Sequence, residues 1–146
     1  MKAIKERWPD MITVAGGILY TAIPKELLQD NPQIDFALVS VFGDCEYTLW
    51  ELLEELKKAA PNFQQIKGLC YAKDNEIILT PRRPLITDLD ELPMPAYDLF
   101  PMDRYCGYSV LPNYTEAVTS RGCEGACHFC YEWWLVDARN LSLIHI

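Results

Sequence analysis

Two nearly unbroken apolar runs, Met11-Ile-Thr-Val-Ala15 and Phe36-Ala-Leu-Val-Ser-Val-Phe42, narrow the possible folds more than any other stretch of this sequence. A strand exposed on one face alternates apolar with polar residues; a strand without that alternation is covered on both faces, as in a parallel sheet flanked by helices. Gly16-Gly17 stops the first run and Gly43 the second. Between them Pro24–Asp30 reads as a short helix with proline in its first turn, ended by Asn31-Pro32. After them Glu46–Ala60 reads as the best helix of the chain. Leu49, Leu52, Leu53 and Leu56 form its apolar stripe, acidic residues fill its first turns, and Lys57-Lys58 sit in its last, as the helix dipole prefers. Pro61-Asn62 stops it. Strand, helix, strand, helix in this texture predicts an α/β fold. Gly68–Ala72 and Ile77–Thr80, joined through Lys73-Asp-Asn-Glu76, predict a β-hairpin turning at Asp-Asn, placed as a small appendage on the α/β unit.

From Pro81 to Pro112 the texture changes. Six of the ten prolines fall here, which excludes a long helix or a central strand and predicts an extended connector. It also carries Leu85, Ile86, Leu89, Leu92, Met94, Tyr97, Leu99, Phe100 and Tyr105, more apolar surface than a free linker needs, so it is expected to pack along a domain. Glu116–Ser120 reads as one more short strand, ending at Arg121-Gly122. The organisation expected is an α/β domain over 1–80, a proline-rich connector over 81–112 and a further unit opening at 113–146.

Charge and leader signals limit the function. The 146 residues carry 13 Lys plus Arg against 21 Asp plus Glu, a net charge of −8, with no basic cluster of the kind phosphates require. This argues against a nucleic-acid surface. No apolar run approaches the roughly 20 residues that span a bilayer. Lys2, Lys5, Glu6 and Arg7 follow Met1 with no apolar segment, so no secretory signal is visible and a cytoplasmic location is expected. In a reducing compartment six cysteines read as metal or redox ligands before they read as disulfides.

Three of them stand together. Cys123-Glu-Gly-Ala-Cys127-His-Phe-Cys130 places three thiols within eight residues, close enough for their sulfurs to converge on one metal centre. Clustered thiolates favour zinc or iron–sulfur clusters over hard cations. Three thiolates on a four-iron cluster leave one iron open to a substrate or cosubstrate, the logic of an open catalytic metal site. Gly122 and Gly125 give the loop freedom to wrap such a centre. A zinc site of three cysteines with His128 as fourth ligand is the alternative, although His128 lies between ligands and would have to turn back on them. Three unrelated packing thiols are a second alternative. Elsewhere Cys70 and Cys106 read as packing residues, Arg82-Arg83 as a solvated pair, and Trp133-Trp134 as core or interface.

Cys-x3-Cys-x2-Cys with an aromatic residue before the last cysteine resembles the signature of the radical S-adenosylmethionine (SAM) enzymes. The resemblance implies that Cys123, Cys127 and Cys130 hold a [4Fe–4S] cluster on the loop after the first barrel strand, with Phe129 near the SAM adenine. It implies reductive cleavage of SAM to a 5′-deoxyadenosyl radical, with an electron donor such as flavodoxin or ferredoxin. Upstream, Val14-Ala-Gly-Gly17, the Phe36–Phe42 run, Gly43-Asp-Cys-Glu46 and the Leu-rich helix resemble the C-terminal part of a cobalamin-binding domain. Arg83–Pro95 is similar to the bridge between such a domain and a radical SAM barrel. The resemblance therefore implies a partial Rossmann-like (flavodoxin-like) cobalamin-binding domain, followed by the first strand and cluster loop of a radical SAM (β/α) barrel. It implies cobalamin contact at Gly16, Gly17 and Gly43, where a residue without Cβ lets a bulky ligand approach the strand ends. Leu19 stands where the family often carries His, and Cys45 where it often carries Gly.

Only 16 residues follow Cys130, whereas a complete barrel takes about 250. The chain is expected to be an internal piece of a longer protein, with Leu141–Ile146 unlike the start of the next barrel helix. The expected activity is that of the parent enzyme: radical methylation or rearrangement of an unactivated carbon in a small molecule that the sequence does not name. The short chain alone is expected to be inactive. The competing reading is a non-catalytic zinc- or cobalamin-binding module.

Overall fold

The computed structural model describes residues 1–40, 44–105, 120–121, 128–130 and 142–143. They fall into two compact units, one built from Met1–Leu85 with Ala126–Asp137, the other from Ile86–Gly125 with Ala138–Ile146.

The first unit is organised around a four-stranded sheet. Its strands are β1 (Val14–Ala15), β2 (Phe36–Leu38), β3 (Leu69–Lys73) and β4 (Glu76–Leu79), in that spatial order. β1 and β2 run parallel, with Val14 opposite Phe36. β3 lies antiparallel to β2, and β4 antiparallel to β3. The crossover between β1 and β2 carries helices α2 (Ile18–Ala22) and α3 (Pro24–Asp30), and helix α4 (Glu46–Leu56) lies between β2 and β3. A short α1 (Lys2–Arg7) precedes the sheet. Neither α1 nor α2 is expected from periodicity: α1 buries no residue and α2 buries only Thr21, so neither has an apolar stripe to announce it.

The unbroken apolar character of β2 has the cause inferred for it. Phe36 and Leu38 face one side of the sheet and join Leu52, Ile66, Leu69 and Tyr71. Ala37 and Val39 face the other and join Leu28, Ile34 and Cys70. Both faces are covered, one by α4 and the other by α3. The strands are shorter than the runs, however. β1 takes only Val14–Ala15 of Met11–Ala15, and β2 takes Phe36–Leu38 of the longer run, whose residues 41–43 lie outside those described.

The hairpin is where the structure departs most from the sequence reading. Its turn is as expected: Lys73 pairs with Glu76, and Asp74 and Asn75 have φ of 51° and 65°, the left-handed pair of a two-residue type I′ turn. It is not an appendage. β3 continues the sheet directly beside β2, and Leu69, Cys70 and Tyr71 are all buried. The sheet is therefore mixed rather than wholly parallel. Thr80 closes the base of the hairpin, its hydroxyl donating to Leu69 O (3.0 Å) while Leu69 N–H donates to it (2.9 Å).

Helix α4 also differs. It ends at Leu56, four residues before the expected stop, and Lys57 and Lys58 turn back to ion-pair with Glu54 and Glu55. Its buried face is Thr48, Leu52 and Glu55; Leu49 and Leu53 lie at 37% and 49% exposure. Half of the predicted leucine stripe is thus on the surface. The buried polar pair has fixed partners instead: Thr48 Oγ1 donates to Lys67 O (2.9 Å), and Glu55 Oε1 accepts from Asn62 N–H (2.6 Å).

In the second unit, prolines keep the described part of the connector extended. It is interrupted only by single 3₁₀ turns at Leu89–Glu91, Tyr97–Leu99 and Met102–Arg104. Leu89 is buried, whereas Met94 and Leu99 are more than three-quarters exposed. β5 (Ser120–Arg121) pairs antiparallel with β6 (Ser142–Leu143), so this part of the terminal segment is strand rather than helix. Cys106, Pro112, the rest of the Glu116–Ser120 run and Trp133-Trp134 lie outside the described residues. No helix among the described residues is long and apolar enough to cross a membrane.

Candidate cofactor-binding site

In an open α/β sheet, ligands gather beyond the carboxyl ends of the parallel strands. Here those ends are Gly16-Gly17 after β1 and Val39-Ser40 after β2. Gly17 has φ 104° and ψ −177°, a conformation essentially reserved for glycine, and it forms the N-cap of α2. A Cβ built on Gly17 would meet no atom within 4 Å, so its backbone faces open space. Gly16 is different: a Cβ there would rest 3.6 Å from Leu38 Cβ, an ordinary contact. Of the two, Gly17 alone has a backbone that demands glycine, and it is followed by Ile18 and Leu19, each more than half exposed. An open backbone beside two exposed aliphatic side chains fits a large, partly apolar ligand such as a corrin. Gly43, the third glycine expected there, lies outside the described residues.

Thr21 holds this edge in place, and no sequence motif singled it out. It is 4% exposed. Its hydroxyl donates to Ser40 O (2.7 Å), accepts from Ser40 N–H (3.3 Å) and lies 3.2 Å from Gly17 O. One short side chain thereby ties the first turn of α2 to the end of β2. The only available signal was its position four residues after Gly17, where a threonine hydroxyl can reach back along a helical turn.

Arg83 departs from the solvated pair expected of Arg82-Arg83. It is not solvated: its side chain is 16% exposed, its Nε donates to Thr48 Oγ1 (2.9 Å), and its guanidinium ion-pairs with Glu51. The same Thr48 hydroxyl donates to Lys67 O, so Arg83 fastens the start of the connector to α4 and to the strand entry at Gly68. Gly68 has φ 74°, and a Cβ there would fall 2.8 Å from Val39 O. Arg82 is exposed.

Of the cysteine loop, the described residues are His128, Phe129 and Cys130, preceded in sequence by β5 at Ser120–Arg121. Cys130 is a free, partly exposed thiol, and Phe129 is 93% exposed, a ring with almost no protein covering. His128 is exposed as well. Cys123, Cys127, Gly122 and Gly125 lie outside the described residues, and among the described ones no group of three or more His, Cys, Asp or Glu is gathered to hold a metal. Cys70, by contrast, is fully buried between β2 and β4, and burial pushes its thiol up to about 11, which suits packing and not ligation. Cys45 is a partly buried N-cap residue of α4.

No protein-family model matches the chain. Individual relatives do. It is 37% identical over 121 residues to an uncharacterized methyltransferase of Pyrococcus horikoshii, covering 83% of this chain and 25% of that protein. It is 32% identical over 130 residues to the anaerobic magnesium-protoporphyrin IX monomethyl ester cyclase of Synechocystis, covering 87% of this chain and 24% of the cyclase. It is 30% identical over 135 residues to the cobalamin-dependent radical SAM methyltransferase TokK of Streptomyces tokunonensis, covering 90% of this chain and 19% of TokK. The chain spans about a quarter of the length of the curated relatives it matches. On this similarity, sustained over most of its residues, the chain belongs to the cobalamin-binding group of radical SAM proteins.

Proposed function

We propose that this chain carries the junction between the cofactor-binding α/β domain and the cluster loop of a cobalamin-dependent radical SAM methyltransferase. The supporting observation is the coincidence, in one chain, of an open glycine edge at the parallel strand ends with a Cys-x3-Cys-x2-Cys loop, in a sequence related to TokK. In this reading Cys123, Cys127 and Cys130 hold a [4Fe–4S] cluster, Phe129 lies against the SAM adenine, and Gly16, Gly17 and Gly43 line the cobalamin. When bound, these groups supply the electron that breaks a carbon–sulfur bond of SAM and a methyl group for an unactivated carbon.

The chain's own contribution is placement. Three thiolates satisfy three irons and leave one for SAM, so the cysteine count sets the open coordination position. Gly17 keeps the backbone clear, Ile18 and Leu19 offer apolar surface, and the Thr21–Ser40 bonds keep that edge from closing. Leu19 carries no nitrogen donor, so this position would offer a bound cobalamin apolar contact rather than a ligand. The electron partner is of the flavodoxin or ferredoxin class, and the whole protein works in the cytoplasm on a small molecule.

The test is anaerobic reconstitution of the whole protein with iron, sulfide and cobalamin, followed by reduction in the presence of SAM. Formation of 5′-deoxyadenosine and S-adenosylhomocysteine is the expected result. One tightly held zinc with no SAM cleavage would instead mark a non-catalytic module.

A further inference from the structure

At the opposite end of the sheet from Gly17, the strands border a second feature that the proposed function does not use. The segments entering β1 and β2, the loop after α4 and the hairpin end of β3 enclose a cleft of about 460 Å³. That is within the size range of small-molecule sites, roughly 300–1,000 Å³. All its walls belong to the first unit.

Its floor is aromatic. The rings of Phe36, Phe63 and Tyr71 meet at centroid distances of 4.9, 6.2 and 5.6 Å, the Phe63 ring standing edge-on to both others. Its polar groups are mostly donors. Tyr71 is 4% exposed and lines the cleft. Burial raises the Tyr71 phenol above its ordinary value, which keeps it an O–H donor throughout the neutral range. Lys73 lies two residues on, on the same face of β3, exposed and without an ion pair among the described residues. Asn62 and Gln64 also line the rim. The one carboxylate on the wall, Asp35, is already engaged by Lys5 Nζ (2.6 Å) and Thr13 N–H (2.7 Å).

An aromatic floor, a phenol O–H donor and a lysine ammonium line one cleft, and together they describe a complementary ligand. We propose that this cleft binds a small planar ring bearing one carboxylate, with the ring on Phe36 and Phe63 and the carboxylate received by Tyr71 Oη and Lys73 Nζ. The site is distinct from the glycine edge and stands or falls independently of the cobalamin reading.

Benzoate is the probe, titrated into the full 146-residue chain while backbone amides are followed by two-dimensional NMR. Saturable shifts at Asn62, Tyr71 and Lys73 are expected, with benzamide and cyclohexanecarboxylate binding at least severalfold more weakly. Tyr71→Phe and Lys73→Ala should each raise the dissociation constant about threefold to tenfold, the range for one lost hydrogen bond. Lys67→Ala, a surface lysine outside the cleft, should leave it unchanged. Absence of saturable shifts, equal binding of benzoate and benzamide, or full affinity in both variants would overturn the proposal. Should Tyr71→Phe fail to fold, Lys73→Ala and the benzoate–benzamide comparison decide it.

Discussion

Gly68 and Gly17 both hold backbone that other residues adopt only under strain, but for different reasons. At Gly68 a Cβ would fall 2.8 Å from the carbonyl oxygen of Val39, whose own N–H donates to Gly68 O at 2.8 Å, so neither partner can retreat without breaking the β2–β3 junction. Gly68→Ala is expected to lower stability by about 2–3 kcal/mol in chemical denaturation. Gly17→Ala meets no atom and costs only the backbone strain, about 1–2 kcal/mol. Its larger effect should be on cobalamin retention, read from the cofactor spectrum after gel filtration of the whole protein. Arg83→Ala removes a side chain that spans Thr48 and Glu51, and a loss of about 1–2 kcal/mol is expected. Lysine at 83 should recover little of it, since a single ammonium cannot serve both partners as a guanidinium fork does. Cys70, buried and held as the neutral thiol to about pH 11, should react with thiol reagents at pH 8 only once the chain unfolds.

Elements were legible to the degree that local chemistry alone decides them. Helix α3 appears at Pro24–Asp30 as read, because proline at its start and Asn31-Pro32 after its end set both limits within a few residues. The Asp74-Asn75 turn is equally local, two residues that tolerate positive φ at the positions a type I′ turn requires. Asn75→Gly should therefore hold or slightly raise the melting temperature, while Asn75→Val should lower it by several degrees. What the hairpin packs against is a tertiary matter: nothing within Gly68–Thr80 says that β3 will lie beside β2. The leucine stripe of α4 failed for a related reason. Thr48 and Glu55 outcompete Leu49 and Leu53 for the buried face because their partners, Lys67 O, Arg83 and Asn62 N–H, come from outside the helix. At the site the cysteine triplet and the glycine pair were visible as motifs. The Thr21 hydroxyl and the Tyr71 cleft were not, since each depends on residues brought from elsewhere in the chain, Ser40 for the first and Phe36 for the second.

For the molecule as a whole, the first unit closes its N-terminal side through Asp35, which joins α1 to the entry of β1. Burial alone would raise the Asp35 carboxyl, but the hydrogen bonds from Lys5 and from the N–H and hydroxyl of Thr13 together hold it below its ordinary value. A carboxyl lowered on folding adds stability above its unfolded pKa of 3.8, and that stability is lost as pH falls through the lower folded value. Asp35→Asn should flatten this part of the acid limb, measured as the denaturation midpoint between about pH 5 and pH 2. The cofactor reading rests on a smaller set of atoms, the sulfurs of Cys123, Cys127 and Cys130. Iron and sulfide are therefore best counted in oxygen-free preparations of this chain and of its three single Cys→Ala variants. About four irons per parent chain, falling sharply in every variant, is the predicted result for a three-thiolate cluster. Iron content unchanged by any one of the three substitutions, or a single zinc in its place, would contradict it.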